Sequence, residues 1–289
     1  MNSEFIKKIA NAGIIAAVDT KEKAYDMIEN GIGALETSDA EVIAAVHEKY
    51  PNVPVGYTVC DIDKAVGCGA EFIHVAVCCE KKISEIHDAG ISVILSAQTI
   101  AEAAKAAKAG ADIIEFAASD ISGGVAMLGA LSVATEGAKY IVSGAEKPLD
   151  YTVIPACIGW CDADIAKSED VGAAARSAMY DSLALTLAHV GINAECEADS
   201  IEISAAYSKL LGIKHKVGNS SCFAGSLIEV MKKKYLGEHG HIAIGTKSLP
   251  RAIAFFERIG VRFNPETAKP VAIYFADDIG GFAIHLVQK

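Results

Sequence analysis

The feature that most constrains the fold is an alternation of short apolar runs with alanine-rich amphipathic stretches between residue 10 and about residue 160. Apolar runs of this length are typical of buried parallel strands. The predicted strands are Ile14–Val18, Ala34–Thr37, Val53–Thr58, Phe72–Val77, Ser92–Ser96, Ile113–Phe116, Tyr140–Val142 and Val153–Ile158. Strand–helix units of about 20 residues predict an α/β fold, a (β/α)8 or TIM barrel, with functional side chains at the carboxyl ends of the strands.

A doubly wound open sheet is the alternative arrangement for this alternation. No G-x-G-x-x-G motif follows the first predicted strand, which removes the main reason to prefer that arrangement. The stretch from Asp162 to Leu187 is alanine-rich and free of proline, so it predicts one long helix leading into a second domain. We therefore expect two domains, 1–183 and 184–289.

The second region contains an internal repeat. Ala188-His-Val-Gly-Ile-Asn is echoed by Gly240-His-Ile-Ala-Ile-Gly, and 52 residues separate His189 from His241. The predicted helices are Ile201–Leu211 and Leu249–Ile259, and the strands that follow them are Ser221–Gly225, Ser226–Lys232, Val271–Ala276 and Gly281–Val287. A period of this length is typical of a repeated supersecondary unit. It predicts two βαβββ modules that pair into a curved sheet enclosing a cup.

Charge and composition exclude several classes of partner. The 289-residue chain carries a formal net charge of −11, whereas nucleic acids and anionic membranes require clustered Lys and Arg. No apolar run reaches the roughly 20 residues of a membrane span, and the first residues do not resemble a signal peptide. Eight cysteines without a secretory signal are typical of reduced thiols. We expect a cytoplasmic protein that acts on a small molecule.

The barrel region resembles the 2-keto-3-deoxy-6-phosphogluconate / 4-hydroxy-2-oxoglutarate aldolase family across roughly residues 5–165. The stretches that carry the resemblance are Gly31-Ile-Gly-Ala-Leu-Glu-Thr, Gly56-Tyr-Thr-Val, Gly67–Ile73 and Gly110-Ala-Asp-Ile-Ile-Glu-Phe with Gly123-Gly124 after it. Members of the family form a Schiff base between a strand-six lysine and the substrate ketone. The resemblance implies a TIM barrel, a carbon–carbon lyase and a homo-oligomer.

Three positions depart from the family's pattern. The Schiff-base lysine is replaced by Glu115, and a carboxylate cannot form an imine. The arginine that holds a substrate carboxylate is replaced by Asp19, and the phosphate-binding turn reads Ser143-Gly-Ala-Glu146. What the resemblance leaves is Glu36 as the general acid/base, with Thr58 and Thr99. Chemistry in the barrel would therefore have to differ from that of the family.

These departures make the predicted barrel mouth acidic. We expect four carboxylates to converge there, from Asp19, Glu36, Glu115 and Glu146. Crowded carboxylates raise one another's pKa or recruit a cation, so we expect Glu36 and Glu115 to be catalytic and Asp19 to bind substrate. The resemblance implies that Thr58 and Thr99 also bind substrate. The alternative is a barrel that has lost catalysis and serves as a scaffold. We interpret His74, on the fourth predicted strand, as a core residue.

The repeat region, residues 185–289, resembles the glyoxalase / vicinal-oxygen-chelate superfamily. The family takes metal ligands from the first and last strand of each module, and these positions hold His189, Glu229, His241 and His285. The family has Glu at the last of these positions, so His285 differs in type. The resemblance implies a divalent metal and a substrate with two adjacent oxygens.

The residue types support the same site independently. Three imidazoles and one carboxylate suit Zn, Ni, Fe or Mn, and Glu229 can also transfer a proton. Each residue neighbours an apolar strand residue, so alternation directs all four to one face. We therefore predict a metal-dependent aldolase-like lyase acting on a small 2-oxo acid or sugar acid. The alternatives are isomerase or lyase activity in the second domain alone, with the barrel as scaffold, or a non-catalytic metabolite-binding protein.

Overall fold

The computed structural model describes residues 2–76, 82–117 and 123–289. The chain divides into two compact units, Met1–Ser182 and Leu183–Lys289, and each unit has its own sheet. Among the described residues, every helix is too short or too polar to cross a lipid bilayer.

The first unit is a closed barrel of eight parallel strands, in which the first strand pairs with the last. The strands are β1 (Ile14–Ala17), β2 (Leu35–Thr37), β3 (Val55–Tyr57), β4 (Phe72–Ala76), β5 (Ser92–Ala97), β6 (Ile113–Ala117), β7 (Tyr140–Ser143) and β8 (Cys157–Asp162). The helices are α1 (Ser3–Ala12), α2 (Lys21–Glu29), α3 (Ala40–Lys49), α4 (Ile62–Cys68), α5 (Ile83–Asp88), α6 (Ile100–Ala109), α7 (Gly124–Ala134) and α8 (Val171–Leu183). The predicted TIM barrel is confirmed. Val77, which was included in the fourth predicted strand, lies outside the described residues.

Apolar side chains fill the amino-terminal part of the barrel. Phe5 and Ile9 of α1 belong to one buried cluster with the strand residues Phe72, Ile113 and Ile141. The rings of Phe5 and Phe72 lie 5.3 Å apart between centroids. Because this end is packed with apolar groups, the polar interior residues of the strands lie nearer the carboxyl-terminal end.

The last barrel strand begins later than the sequence predicts. Residues Pro148–Val153 form a 3-10 turn, and β8 starts only at Cys157, whereas the expected strand was Val153–Ile158. Pro155 lies between them and has no N–H to donate to a sheet ladder, so pairing begins after it. The shift brings Trp160 and Cys161 into the strand.

The expected single helix from Asp162 to Leu187 is also wrong. The Asp162 carboxylate accepts the backbone N–H groups of Asp164 and Ile165, and a short 3-10 turn follows. Helix α8 begins at Val171, with the Asp170 carboxylate accepting the N–H of Ala173. Short acidic side chains that bond to nearby backbone compete with helix, and this outweighs the alanine content before residue 171.

The second unit is a seven-stranded mixed sheet with two helices. Its elements are β9 (Thr186–Asn193), α9 (Glu197–Leu211), β10 (His215–Val217), β11 (Ser221–Ala224), β12 (Ile228–Met231), β13 (Gly240–Thr246), α10 (Leu249–Arg258), β14 (Ala272–Tyr274) and β15 (Phe282–Gln288). The strand order is β10-β11-β12-β9-β13-β15-β14. The first module is thus βαβββ. In the second, the strand equivalent to β10 is reduced to an isolated bridge between Phe263 and Phe275.

The pairing of β9 with β13 has the register of a pseudo-two-fold axis. His189 lies opposite Ala243, and Gly191 lies opposite His241. An offset of 52 residues carries each of these pairs onto the other. The repeat seen in the sequence is therefore a symmetry of the sheet, and the axis passes between its two central strands.

Candidate functional site

Four polar side chains lie together on the central strands of the second unit. His189 is on β9 and His241 on β13, while Glu229 on β12 and His285 on β15 flank them. Glu229 pairs with Gly191 in one parallel ladder, and His285 pairs with Ala243 in the other. Because Gly191 and Ala243 are related by the pseudo-two-fold axis, Glu229 and His285 occupy equivalent positions. The structure therefore brings together all four residues that the sequence selected as metal ligands.

The side-chain atoms of this cluster converge on one point. The Nε2 atoms of His189 and His241 are 3.1 Å apart, and the Glu229 Oε2 lies 3.2 Å from the first and 3.4 Å from the second. One nitrogen from each of the three histidines falls within 4.8 Å of the others. The His285 ring is 5.4 Å from that of His189 and 5.1 Å from that of His241, between centroids.

The electrostatics of the cluster keep its members able to bind a cation. Burial opposes the charge on Glu229, but hydrogen bonds from His189, His241 and Ser221 outweigh it and hold the pKa of Glu229 below its usual range. Burial, together with the neighbouring histidines, lowers the pKa of His285 to about 4. Glu229 is thus ionised and His285 neutral near pH 7, the protonation states in which both bind metals.

Buried nitrogens without partners point to a ligand at this position. Among the described residues, no hydrogen-bond partner lies near Nδ1 of His241 or near either ring nitrogen of His285. The two side chains are 2% and 6% exposed. An unsatisfied buried polar group costs about 1–3 kcal/mol, so a cluster of them calls for an explanation. A set of three imidazoles and one carboxylate fits a divalent metal.

Three residues that sequence reasoning missed support the cluster. The Ser221 hydroxyl donates to Glu229 Oε1 at 2.6 Å and so orients the other oxygen toward the histidines. The Tyr274 ring stacks on His285 with 4.5 Å between centroids. Gly191 is required because a Cβ at this position would overlap the imidazole of His241. Of these three residues, only Gly191 is marked in the sequence, because the first copy of the repeat has glycine at the position where the second copy has Ala243.

A second polar cluster lies inside the barrel. Glu36, His74 and Glu115 come from β2, β4 and β6, in keeping with the layers that alternate strands form in TIM barrels. His74 Nδ1 is 2.5 Å from Glu36 Oε2, and its Nε2 is 3.1 Å from Glu115 Oε2. The Ser96 hydroxyl lies 3.1 Å from the same Nε2. His74 is therefore buried, as a core histidine would be, but it bridges the two carboxylates that the sequence selected as catalytic.

The barrel cluster is an ion triad in which one imidazolium lies between two carboxylates. Burial disfavours a charged imidazole, but the two carboxylates outweigh it and raise the pKa of His74 to about 10. Burial likewise opposes the charge on Glu115. Hydrogen bonds from His74, Ser143 and Ser96, and the charge of His74, prevail and lower the pKa of Glu115 to about 2.

The predicted convergence of four carboxylates at the barrel mouth is only partly observed. A cavity of about 590 Å³ is lined by Glu36, Glu115, Glu146 and residues that include Cys161 and Asp162. The expectation for Asp19 is wrong, because this side chain is 65% exposed, outside that lining, and paired with Lys23 at 3.0 Å. Helix α2 begins two residues after Asp19, so the pair forms across its first turn.

The two threonines expected to bind substrate lie outside the lining of that cavity. Thr58 is half-buried just after β3, and its N–H donates to Thr37. Thr99 is the N-cap of α6: its hydroxyl bonds to the Glu102 N–H and carboxylate in a capping box. The spacing Thr99-x-x-Glu102 carries this structural signal in the sequence itself.

The two clusters differ in their capacity for a metal. Glu36, His74 and Cys161 also offer ligand atoms within 4.8 Å of one another. Both ring nitrogens of His74 are already bonded, however, so a metal there would have to displace a carboxylate. In the second unit the nitrogens converge, and within the described part of the chain neither ring nitrogen of His285 has a hydrogen-bond partner. Its fit to a metal is the better of the two.

Comparisons with solved structures show the fold of the barrel. Similar structures include the native KDPGal structure (19% identity, TM-score 0.51, covering 58% of this chain and 93% of that one). A second is the 2-keto-3-deoxy-6-phosphogluconate aldolase of Zymomonas mobilis ZM4 with 3-phosphoglycerate (16%, 0.52, 63% and 94%). A third is the thiamine phosphate pyrophosphorylase from Pyrococcus furiosus (14%, 0.51, 60% and 96%).

The covered share of the chain is close to the length of the barrel unit. The last two proteins carry the names of different activities, so likeness at this level shows a shared fold and leaves the reaction to the site. No protein-family model matches the chain, and no curated protein matches it significantly.

Proposed function

We propose that this chain is an enzyme whose second unit binds a divalent metal through His189, Glu229, His241 and His285 and acts on a small 2-oxo acid or sugar acid. The observation that carries the proposal is the convergence of these four side chains from symmetry-related strand positions. The buried His285 nitrogens have no hydrogen-bond partner among the residues that the structure describes. The donor set suits Zn, Ni, Fe or Mn. Two modules related by a pseudo-two-fold axis add to the resemblance to the glyoxalase / vicinal-oxygen-chelate superfamily.

The reaction class follows from the chemistry that such a site supports. A divalent metal bound there would polarise two adjacent substrate oxygens as a Lewis acid. Glu229 lies in the lining of the cavity beside the cluster, so its position allows it to accept a proton from a substrate carbon. These roles fit a lyase or isomerase that passes through an enolate-type state.

The barrel is the second candidate site, on the strength of the Glu36–His74–Glu115 triad. The fold is that of the aldolase structures named above, which supports a lyase of aldolase type. Glu115 cannot form an imine, so the Schiff-base route is not available at that position. Glu36 and Glu115 line the cavity at the barrel mouth and can exchange protons through His74. A barrel that serves as scaffold is the alternative.

Elemental analysis beside two variants tests the proposal. We expect the metal-loaded chain to hold about one divalent ion, as one closed set of ligands binds one metal. His241→Ala should lose this ion, and Glu115→Ala should keep it. Glu115→Ala is the matched control because it also removes a buried polar group that is bonded to a histidine. Loss of the metal in Glu115→Ala alone would contradict the assignment to the second unit.

Proton exchange tests whether the metal centre is catalytic. We expect the metal-loaded chain to exchange the C3 protons of 2-oxobutanoate with deuterated water, followed by NMR, and His241→Ala to lose this exchange. A chain that binds metal but gives no exchange would support a non-catalytic metabolite-binding protein. Separately, borohydride with pyruvate should trap no covalent adduct, and an adduct on any barrel lysine would refute the conclusion drawn from Glu115.

A further inference from the structure

The cavity beside the proposed metal ligands, called the metal cluster below, has a basic lining, although the net charge of the chain is −11. It has a volume of about 570 Å³, and Glu229, His241 and His285 lie in its lining. Lysines line it as well: Lys232, Lys233 and Lys269. The segment after β12 supplies the first two, and the segment before β14 supplies the third. The two modules thus each contribute positive charge to one cavity.

One of these lysines is already neutralised. Lys232 Nζ lies 2.6 Å from Glu197 Oε1, and its side chain is only 16% exposed, so this pair forms part of the wall. Lys233 and Lys269 are exposed, and within the described residues neither has a carboxylate partner. The remaining acidic group of the lining is Glu229, which faces the histidines. Lys233 and Lys269 therefore leave an uncompensated positive charge in the lining.

We propose that the substrate carries a second anionic group, a carboxylate or a phosphate, beyond the two oxygens presented to the metal cluster, and that Lys233 and Lys269 bind it. This inference rests on the proposed metal centre of the same cavity. Lysine presents a compact charge with three donors on a flexible stem, which suits either anion without fixing its geometry. The Thr267 hydroxyl already donates to the backbone carbonyl of Asn264, which leaves Lys269 as the charged donor of that segment.

The two kinds of group in the cavity lining make the assignment specific. A monoanionic 2-oxo acid would satisfy the metal cluster and leave both lysines without a counterion. A dianion binds the metal cluster with one group and the lysines with the other. The lysines attract its distal charge because salt screens charges incompletely at short distances. The lysines then set specificity by charge, while the metal cluster recognises the adjacent oxygens.

Calorimetric titration of the metal-loaded chain tests the inference with three probes: 2-oxobutanoate, 2-oxoglutarate and phosphonopyruvate. The first has no distal anion, the second a distal carboxylate and the third a distal phosphonate. We expect at least one dianion to bind about tenfold more tightly than 2-oxobutanoate, the effect of two modest ion pairs. Which dianion binds more tightly distinguishes a carboxylate subsite from a phosphate subsite.

Variants assign the preference to the two lysines. Lys233→Ala with Lys269→Ala should bring the affinities for the dianions to within about threefold of that for 2-oxobutanoate, and 2-oxobutanoate itself should bind as before. Lys234→Ala is the matched control, because Lys234 is an exposed neighbour outside the cavity lining. It should leave the preference unchanged.

Two outcomes would overturn the inference: equal affinities of the three probes for the wild type, or a preference that survives the double substitution. Either result with the metal still bound leaves the metal centre intact. A chain that fails to bind metal in the elemental analysis fails at the earlier step, so the two failures are distinguishable.

Discussion

Both units contain a cluster of histidine and glutamate side chains, but the two clusters differ in the hydrogen-bond partners of the histidine nitrogens. In the barrel, His74 lies between two carboxylates and both of its ring nitrogens are bonded. In the second unit, three imidazoles face one carboxylate, and the His285 ring has no hydrogen-bond partner among the described residues. The first cluster is satisfied by the protein itself. The second is satisfied only if something else binds.

This difference separates structural charge from a binding site. A buried ion pair with its hydrogen bonds made gives little reason to expect a ligand, since adding one breaks existing contacts. Buried nitrogens without hydrogen-bond partners destabilise the fold, so a bound cation would relieve that cost. Burial of a histidine is thus uninformative until the partners of both its nitrogens are known.

The largest expected effect comes from replacing one histidine of each cluster by leucine. His74→Leu leaves the largely buried Glu36 and Glu115 without their cation, and we expect the barrel to lose about 3–5 kcal/mol of unfolding free energy. The single tryptophan, Trp160, lies buried in β8, so denaturation followed by its fluorescence reports on the barrel. His285→Leu in the metal-free chain should change stability by less than about 1 kcal/mol, because it removes unsatisfied nitrogens.

Amide hydrogen exchange in β13 and β15 measures the effect of His285→Leu in the second unit. His47→Leu, at an exposed position of α3, controls for loss of a histidine and should stay within about 0.5 kcal/mol of the wild type. Two results would contradict this contrast between the clusters. One is that His74→Leu lowers the unfolding free energy no more than the control does, and the other is that His285→Leu unfolds β13 and β15 in the absence of metal.

The next largest effect is the pH dependence of the stability that His74 gives to the barrel. Its pKa is raised from 6.5 to about 10 in the fold, so the stability it contributes is complete below pH 6.5 and is lost as the pH rises through 10. The pKa of Glu115 is lowered from 4.5 to about 2, so its contribution is complete above pH 4.5 and is lost as the pH falls through 2. Barrel stability should be greatest between these limits.

Denaturation of the wild type and His74→Leu from pH 4 to pH 10, followed by Trp160 fluorescence, measures this contribution. The difference in unfolding free energy between the two chains should shrink above pH 6.5. A difference that stays constant between pH 6.5 and pH 10 would mean that the fold does not raise the pKa of His74.

The sequence predicts the features that depend on spacing along the chain. The strand–helix period predicts the barrel, and the echo of His189 by His241 predicts the pseudo-two-fold sheet. Two of the proposed metal ligands, His189 and His241, follow from that repeat, whereas Glu229 and His285 were assigned by resemblance to the glyoxalase / vicinal-oxygen-chelate superfamily, and the structure places them at equivalent strand positions. The elements around Pro155 and Asp162 differ, since local turn bonds there override the composition.

Contacts between distant segments were not predictable in this way. Nothing near His74 in the chain indicates that carboxylates 38 and 41 residues away lie on both sides of it. Asp19 and Thr99 each satisfy a nearby helix terminus or side chain, which similarity to a family motif does not reveal. Lys233 and Lys269 come together only because the two modules share one cavity.

The last prediction concerns Gly191, a position at which the two halves of the pseudo-symmetric sheet differ in sequence. A methyl group is accommodated at Ala243, but at the equivalent Gly191 it would overlap the His241 ring. Gly191→Ala should therefore displace His241 and cost about 1–3 kcal/mol, the usual cost of overpacking a core. Because the displaced ring is a proposed ligand, metal affinity should also fall, by about tenfold or more, the range found when the support of a ligand is lost.

Gly67→Ala in α4 is the matched control, since a Cβ there meets no neighbouring atom. It adds the same methyl group without overlap and should leave metal affinity unchanged. Titration of the apo chain with zinc, beside hydrogen exchange of β9 and β13, separates the loss of affinity from the loss of stability. If Gly191→Ala binds metal as the wild type does, then His241 either moves without cost or is not a ligand. In the second case the proposed metal site would have three ligands, and its contrast with the barrel cluster would be weaker.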